Sequence, residues 1–350
     1  MTIAGIPDYP ANMRLARRGC RQLLALVALT SVAGGCSAKP AQFDVRDPAS
    51  PLRLVATIAL PDVRGRIDHM ALDAKSGHLF VAELGNGSVD DVDLKSRTVS
   101  GRISGLHEPQ GVAWLPAQDE IAVASGDGTL RFYRASDRQE AARIALGDDA
   151  DNLRVDRRNG NLVVGYGSGA LAVVDPSAHR PVRSLKLPAH PEAFELLGSR
   201  VVVNVPDAHA IVIGDIDTGK ILTTLGTGTR FANYPMASDA GGSRVAVAFR
   251  LPRSVAILDA ASGRTEASAS ICGDADDIYF RSSQLIVTCG SGAVELLDGP
   301  GLQRRVTVAT QRGARTGLFD PATGRLYLAI PAGAEPAAIW VLAFDRPAHV

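Results

Sequence analysis

Seven segments of this chain share one layout: a polar turn, two short apolar runs, a Gly-rich turn, a third run ending in Asp, then a fourth. They open at "DHMALD", "QGVAWLP", "DNLRVD", "EAFELLG", "PMASDA", "DDIYF" and "TGLFDP". With Met70, Val112, Leu153, Phe194, Met236, Ile278 and Gly317 taken as equivalent, the spacings are 42, 41, 41, 42, 42 and 39 residues. The runs are rich in Val, Ile and Leu and are bounded by Gly, Asp, Asn and Ser, which marks them as strands. Four short strands recurring at about 40 residues are the signature of a propeller blade. The expected fold is therefore all-β, a seven-bladed β-propeller with about 40–42 residues per blade over residues 52–347. The seventh unit ends after three strands, at "AIWVLAF". The unassigned run "LRLVATIAL" at 52–60 is expected to complete that last blade and leave no open edge.

What precedes the repeat reads differently. Arg14, Arg17, Arg18 and Arg21 lead into "LLALVAL" and then "TSVAGGC", which ends at Cys36. A basic segment, a short apolar segment and small residues make a secretory signal; the apolar run falls short of the roughly twenty residues that span a bilayer. "AGGC" resembles a bacterial lipobox, so residues 1–36 are expected to be a signal with Cys36 lipidated. The alternative is ordinary cleavage nearby. Met13 is a candidate true start. Ser37 after the cysteine implies, by the same resemblance, an outer-membrane anchor with the domain facing the periplasm. Residues 37–51, with three prolines, are expected to be a flexible tether.

Thirty-seven basic against thirty-seven acidic residues leave no net charge, and the electrostatic footprint of a nucleic-acid binder is absent. Of four cysteines, Cys272 and Cys289 remain once Cys20 leaves with the signal and Cys36 carries lipid. Export places them in an oxidising compartment. A structural disulfide is the simpler reading, two separately buried thiols the alternative. A bridge would brace the sixth acidic loop against its own blade.

"GRIDHMALD", "EPQGVAWLP", "GDDADNLRVD", "NVPDAHAI" and "GDADDIYF" resemble the YncE-like, YVTN-repeat propellers of bacterial envelopes, as do the turns "DIDTGKI" and "DAASGRT". The resemblance covers roughly residues 52–345. It implies the propeller fold and an envelope location, and it implies little about chemistry, since most members have no assigned activity.

"GDDADN" at 147–152 and "GDADD" at 273–277 lie 125 residues apart because three repeats separate them. The repeat explains their position but not their acidity. In a propeller, the loop leading into each innermost strand and the turn between second and third strands share one face. The leading loops supply Arg66, Asp68, His69, Glu108, Gln110, Asp149, Asp151, Asn152, His190, Glu192, Asn233, Tyr234, Asp274, Asp276, Asp277, Arg315 and Thr316. The other turns add Glu83, Asn86, Asp127, Tyr166, Asn204, Arg250 and Cys289. The candidate ligand-binding set is Arg66, Asp68, His69, Gln110, Asp151, Asn152, Glu192, Tyr234, Asp276, Asp277 and Arg315, a ring with an acidic bias at the channel mouth. The competing reading is that Asp and Asn merely satisfy turn backbone.

Two classes of function follow. The first is a monomeric, non-catalytic binding scaffold, whose partner is an envelope protein or a small polar, cationic ligand. The second is a lactonase-like hydrolase or metal-dependent enzyme with His69 as general base and Asp68 or Asp151 orienting it. No cofactor is expected. Calcium is the metal that would suit the carboxylates if they converged, and no zinc spacing is present. Asp91 departs from the repeat, standing where other units have Val173, Ile213, Ile257 or Leu296. It must be exposed, paired with a cation, or close to a pocket.

Overall fold

The computed structural model describes residues 41–299 and 301–344. The signal segment, Cys36 and residues 37–40 of the expected tether lie outside them. The described chain is a ring of seven small antiparallel sheets. Blade 1 runs from Met70–Asp73 at the axis through His78–Glu83 and Ser88–Asp93 to Thr98–Ser104 outside. Blades 2 to 6 begin at Pro109, Ala150, Phe194, Met236 and Ala275 in the same order.

Blade 7 has Gly317–Asp320 innermost, then Arg325–Ile330 and Ala338–Phe344. Its outer strand is Leu52–Ala59, antiparallel to Ala338–Phe344 in the register Leu52 opposite Phe344 and Ala59 opposite Ala338. The two ends of the propeller are thus hydrogen-bonded to each other, and the ring closes.

The burial pattern explains the composition of each strand. Second and third strands are covered on both faces by neighbouring blades, so they read as continuous apolar runs; Leu79 to Ala82 is one. Outer strands keep one side in water: all but one residue of Arg180–Lys186 is exposed. Apolar clusters fill the gap between each pair of adjacent blades, as where Ile58, Met70 and Ile339 join blade 7 to blade 1. The Asp that ends third strands holds the following turn. Asp93 Oδ1 accepts the amides of Lys95 and Ser96, and Asp259 Oδ1 that of Ser262. In the Asp259 turn, Gly263 stands at φ 70°, a left-handed conformation that suits glycine.

One expectation is corrected. Residues 41–51 are no tether. Ala41–Asp44 forms a strand parallel to Arg304–Ala309 and gives blade 6 a fifth strand. Val45, Ser50 and Leu52 are buried beyond it. Leu54 N–H donates to the Val45 carbonyl, fastening this segment across to blade 7. The prolines of the stretch do not prevent pairing, because Pro48 and Pro51 fall after the paired residues and the added strand is an edge, where missing donors are tolerated.

Asp91 is buried and doubly paired. His78 Nδ1 lies 2.6 Å from one carboxylate oxygen, and an Arg138 guanidinium nitrogen from blade 2 lies 2.6 Å from the other. A carboxylate in an otherwise apolar register is tolerated because a neighbouring blade supplies its counter-charge.

Cys272 and Cys289 form a disulfide, with Cα atoms 6.0 Å apart. It ties the loop before blade 6 to the end of that blade's second strand.

Candidate functional site

The leading loops converge at one mouth of the central channel. Asp68 and His69 stand just before the innermost strand of blade 1, and Asp151, Asp276 and Asp277 lie within the first three residues of those of blades 3 and 6. His69 (blade 1) lies 3.6 Å from Asp151 (blade 3), Nε2 to Oδ1, past the intervening blade 2. Beside them Arg66 reaches Asp68 at 2.9 Å. Across the mouth, Asp276 receives Arg250 at 2.6 Å, Arg315 at 3.4 Å and the Thr316 hydroxyl at 3.2 Å. Arg250 and Arg315 also flank Asp274, at 3.2 and 3.0 Å. Asp277 accepts the Gly317 amide at 2.7 Å.

These groups share one field, and their proton affinities show it. Burial pushes Asp68 up to about 6, helped by the charges of Asp151 and Asp276 and resisted by His69 and Arg66. Burial likewise raises Asp277 to about 7, with Asp276 beside it, and Glu192 to about 8, with Asp151 and Asp68 beside it. Burial alone would lower His69. Its contact with Asp151 and the charges of Asp68 and Asp277 outweigh that and lift it to about 9. Asp151, though buried, is held below the usual carboxylate range by His69, with His190 and Arg66 contributing. Asp68 Oδ2 has no hydrogen-bond partner among the described residues and lies against the Arg66 guanidinium.

Other candidates are turned elsewhere. Gln110 donates to Asp149 at 2.7 Å, and Tyr234 lies beneath the Arg250 guanidinium, 4.5 Å from ring centroid. Asn152 is buried behind Asp151 in sequence, its Oδ1 without a hydrogen-bond partner. His190 Nδ1 faces the Gly167 carbonyl at 2.6 Å.

Several turn residues leave the ring altogether. Glu83 is fully buried inside blade 1, accepting from Ser88; burial raises its proton affinity to about 8, and Asp90 adds to this. Asn204 is locked between blades 4 and 5 by the Tyr234 and Pro235 carbonyls and by Asn233. Cys289 is consumed by the disulfide. Asp127 pairs with Arg131 of its own blade at 2.8 Å. In these positions the repeat places the backbone on the right face, but the side chain serves blade packing.

The channel also holds polar groups absent from the candidate set. Arg154, Glu195 and Tyr279 sit on innermost strands one residue beyond the repeat's reference position. Arg154 lies 4.0 Å from Glu195, whose other oxygen accepts from Ser238 at 2.7 Å. Tyr279 donates to the Gly317 carbonyl at 2.7 Å. Burial, then the Asp277 charge, raises the Tyr279 phenol above its usual range. The available signal was comparative: other units carry Ala71, Ala113 or Ala237 at this register, and polar groups replace them in blades 3, 4 and 6.

Among the described residues, no three His, Cys, Asp or Glu side chains are arranged to hold a metal ion. Arg250 and Arg315 each pair with both Asp274 and Asp276, so these two carboxylates already have cationic partners. No protein-family model matches the chain, and no curated protein matches it either.

Proposed function

We propose that the protein is a binding propeller whose channel mouth takes a small organic cation. The observation that carries this reading is the set of Asp68, Glu192 and Asp277 around one opening, whose proton affinities burial and neighbouring carboxylates raise to about 6, 8 and 7. A ligand bringing an ammonium or guanidinium group would replace those protons and leave the carboxylates ionised. The rim is rigid, since each leading loop is fastened to its neighbour; the His69 amide donates to the Gln110 carbonyl at 3.3 Å.

The hydrolase reading asks His69 to begin the reaction neutral. An imidazole lifted to about 9 keeps its proton at neutral pH and is suited to anchoring Asp151, not to acting as a base. Binding without turnover is therefore preferred.

The location proposed is the bacterial envelope, with the domain exported and anchored through Cys36 at the outer membrane. The arginine-rich apolar N-terminus and the Cys272–Cys289 bridge support export. Membership of the YncE-like propellers rests on the repeat motifs quoted above, and a protein partner in the envelope is the alternative occupant of the mouth.

The test is calorimetric titration with putrescine, arginine, tetramethylammonium and calcium at pH 6 and pH 8. Expected is binding of an organic cation that strengthens at pH 8 and is lost in Asp277→Asn. No heat with any organic cation at either pH would overturn the reading, as would calcium binding alone.

A further inference from the structure

Given a cation site at the mouth, as proposed above, we infer that the cation belongs to a basic α-amino acid, and that Arg154 and Glu195, deeper in the channel, hold its α-carboxylate and α-ammonium.

Arg154 and Glu195 occupy the same register on neighbouring innermost strands, Ala150–Val155 and Phe194–Leu197. Both side chains turn to the axis: their charges act on the Tyr279 phenol of blade 6, and that of Arg154 acts on Asp277 as well. They are also open, with 34% of the Arg154 side chain and 21% of that of Glu195 accessible. Their closest approach is 4.0 Å, beyond hydrogen-bond reach. Arg154 Nη1 donates to the Leu153 carbonyl at 2.8 Å, and the guanidinium lies 5.6 Å from the Phe194 ring centroid. Glu195 Oε2 accepts from Ser238, and Oε1 is the oxygen turned to Arg154. Neither charge closes off the other.

A guanidinium and a carboxylate held apart and accessible are the complement of a carboxylate and an ammonium on one carbon. The guanidinium fork suits the ligand carboxylate in two-point geometry. A lone amine or a lone acid would satisfy one member of the pair and be repelled by the other. Depth selects which amino acid. Tyr279 shares the register of Arg154 and Glu195 and follows Asp277 by two residues on one strand, a separation of roughly 7 Å. The distance from the acidic rim down to the pair is therefore that of an extended lysine or arginine side chain. An amino acid with an uncharged side chain would leave the rim carboxylates without their cation.

The test is calorimetric titration of the full chain with L-arginine and L-lysine. Each runs beside its decarboxylated form, agmatine or cadaverine, and arginine also beside 5-guanidinovalerate, which lacks only the α-ammonium. Expected is one-to-one binding of arginine or lysine, at least about tenfold tighter than the matching amine, since the charge-assisted contact to Arg154 goes with the carboxylate. Arginine should also bind more tightly than 5-guanidinovalerate. Arg154→Gln should bring the ratio of arginine to agmatine affinity close to one, and Glu195→Gln should do the same for arginine against 5-guanidinovalerate. Circular dichroism confirms that the variants are folded, and Asp277→Asn should weaken arginine and agmatine alike. Agmatine binding as tightly as arginine, or a ratio unmoved by Arg154→Gln, would overturn the amino-acid assignment while the cation site stands. No binding of any of these cations would overturn both.

Discussion

His69 of blade 1 and Asp151 of blade 3 meet at 3.6 Å although a whole blade separates them in the ring. The channel mouth is therefore narrow enough for groups on non-adjacent blades to set one another's ionisation. That relationship makes the protein's stability and its proposed ligand binding depend on pH in a stated direction.

His69 rises from 6.5 to about 9 on folding. A folded state that binds its proton more tightly gains stability that is fully present below pH 6.5 and lost as pH rises through 9. The shift corresponds to a contribution of about 3.4 kcal/mol as an upper bound. Asp68, Asp277 and Glu192 are also raised, so their contributions likewise fade with rising pH, through about 6, 7 and 8. Urea unfolding from pH 5.5 to 9.5 should show a steady decline, and His69→Gln should remove its upper part. A flat profile would rule out the coupling.

Glu192→Gln removes a carboxylate that is costly to ionise where it stands. Expected at pH 9 is a gain of about 1 kcal/mol in stability together with weaker cation binding, the usual opposition between stability and a functional site. Chemical denaturation and titration on the same preparation measure both.

Asp91→Ala would leave Arg138 and His78 without their shared partner in a largely buried setting. A loss of about 3 kcal/mol is expected, read as a lower denaturation midpoint with unchanged slope. Cation binding at the mouth should not change.

The Cys272–Cys289 bridge closes a loop with a sequence separation of 17. Its removal in a Cys272→Ser/Cys289→Ser variant should cost about 3 kcal/mol by the loop-entropy account. Mass spectrometry of the native protein without reductant should find no free thiol at either position.

Leu52 is wholly buried in the strand that closes the ring. Leu52→Ala should cost about 2–5 kcal/mol. Removing residues 41–59 altogether should expose the Ala338–Phe344 edge and yield aggregated protein on size-exclusion chromatography.

The period of the apolar runs, read from Met70 to Gly317, was enough to determine seven blades and the strand that closes them. That information is local: strand length, turn residues and repeat spacing act within about forty residues. The same reading placed residues 41–51 in a tether, because a short edge strand with little periodicity has no local signature until blade 6 offers it a partner. At the site, sequence marked Asp68, His69, Asp151, Asp276, Asp277 and Arg315, since the repeat puts their backbones on one face. It put Glu83, Asn204 and Cys289 on the same face without showing that their side chains turn into the blades. It also passed over Arg154, Glu195 and Tyr279, which look like ordinary strand positions until the ring closes around an axis. Which charges face each other, and hence which carboxylates keep their protons, was decided by the tertiary structure alone. Coulomb interactions depend on distances across the channel, and those distances exist only once all seven blades are in place.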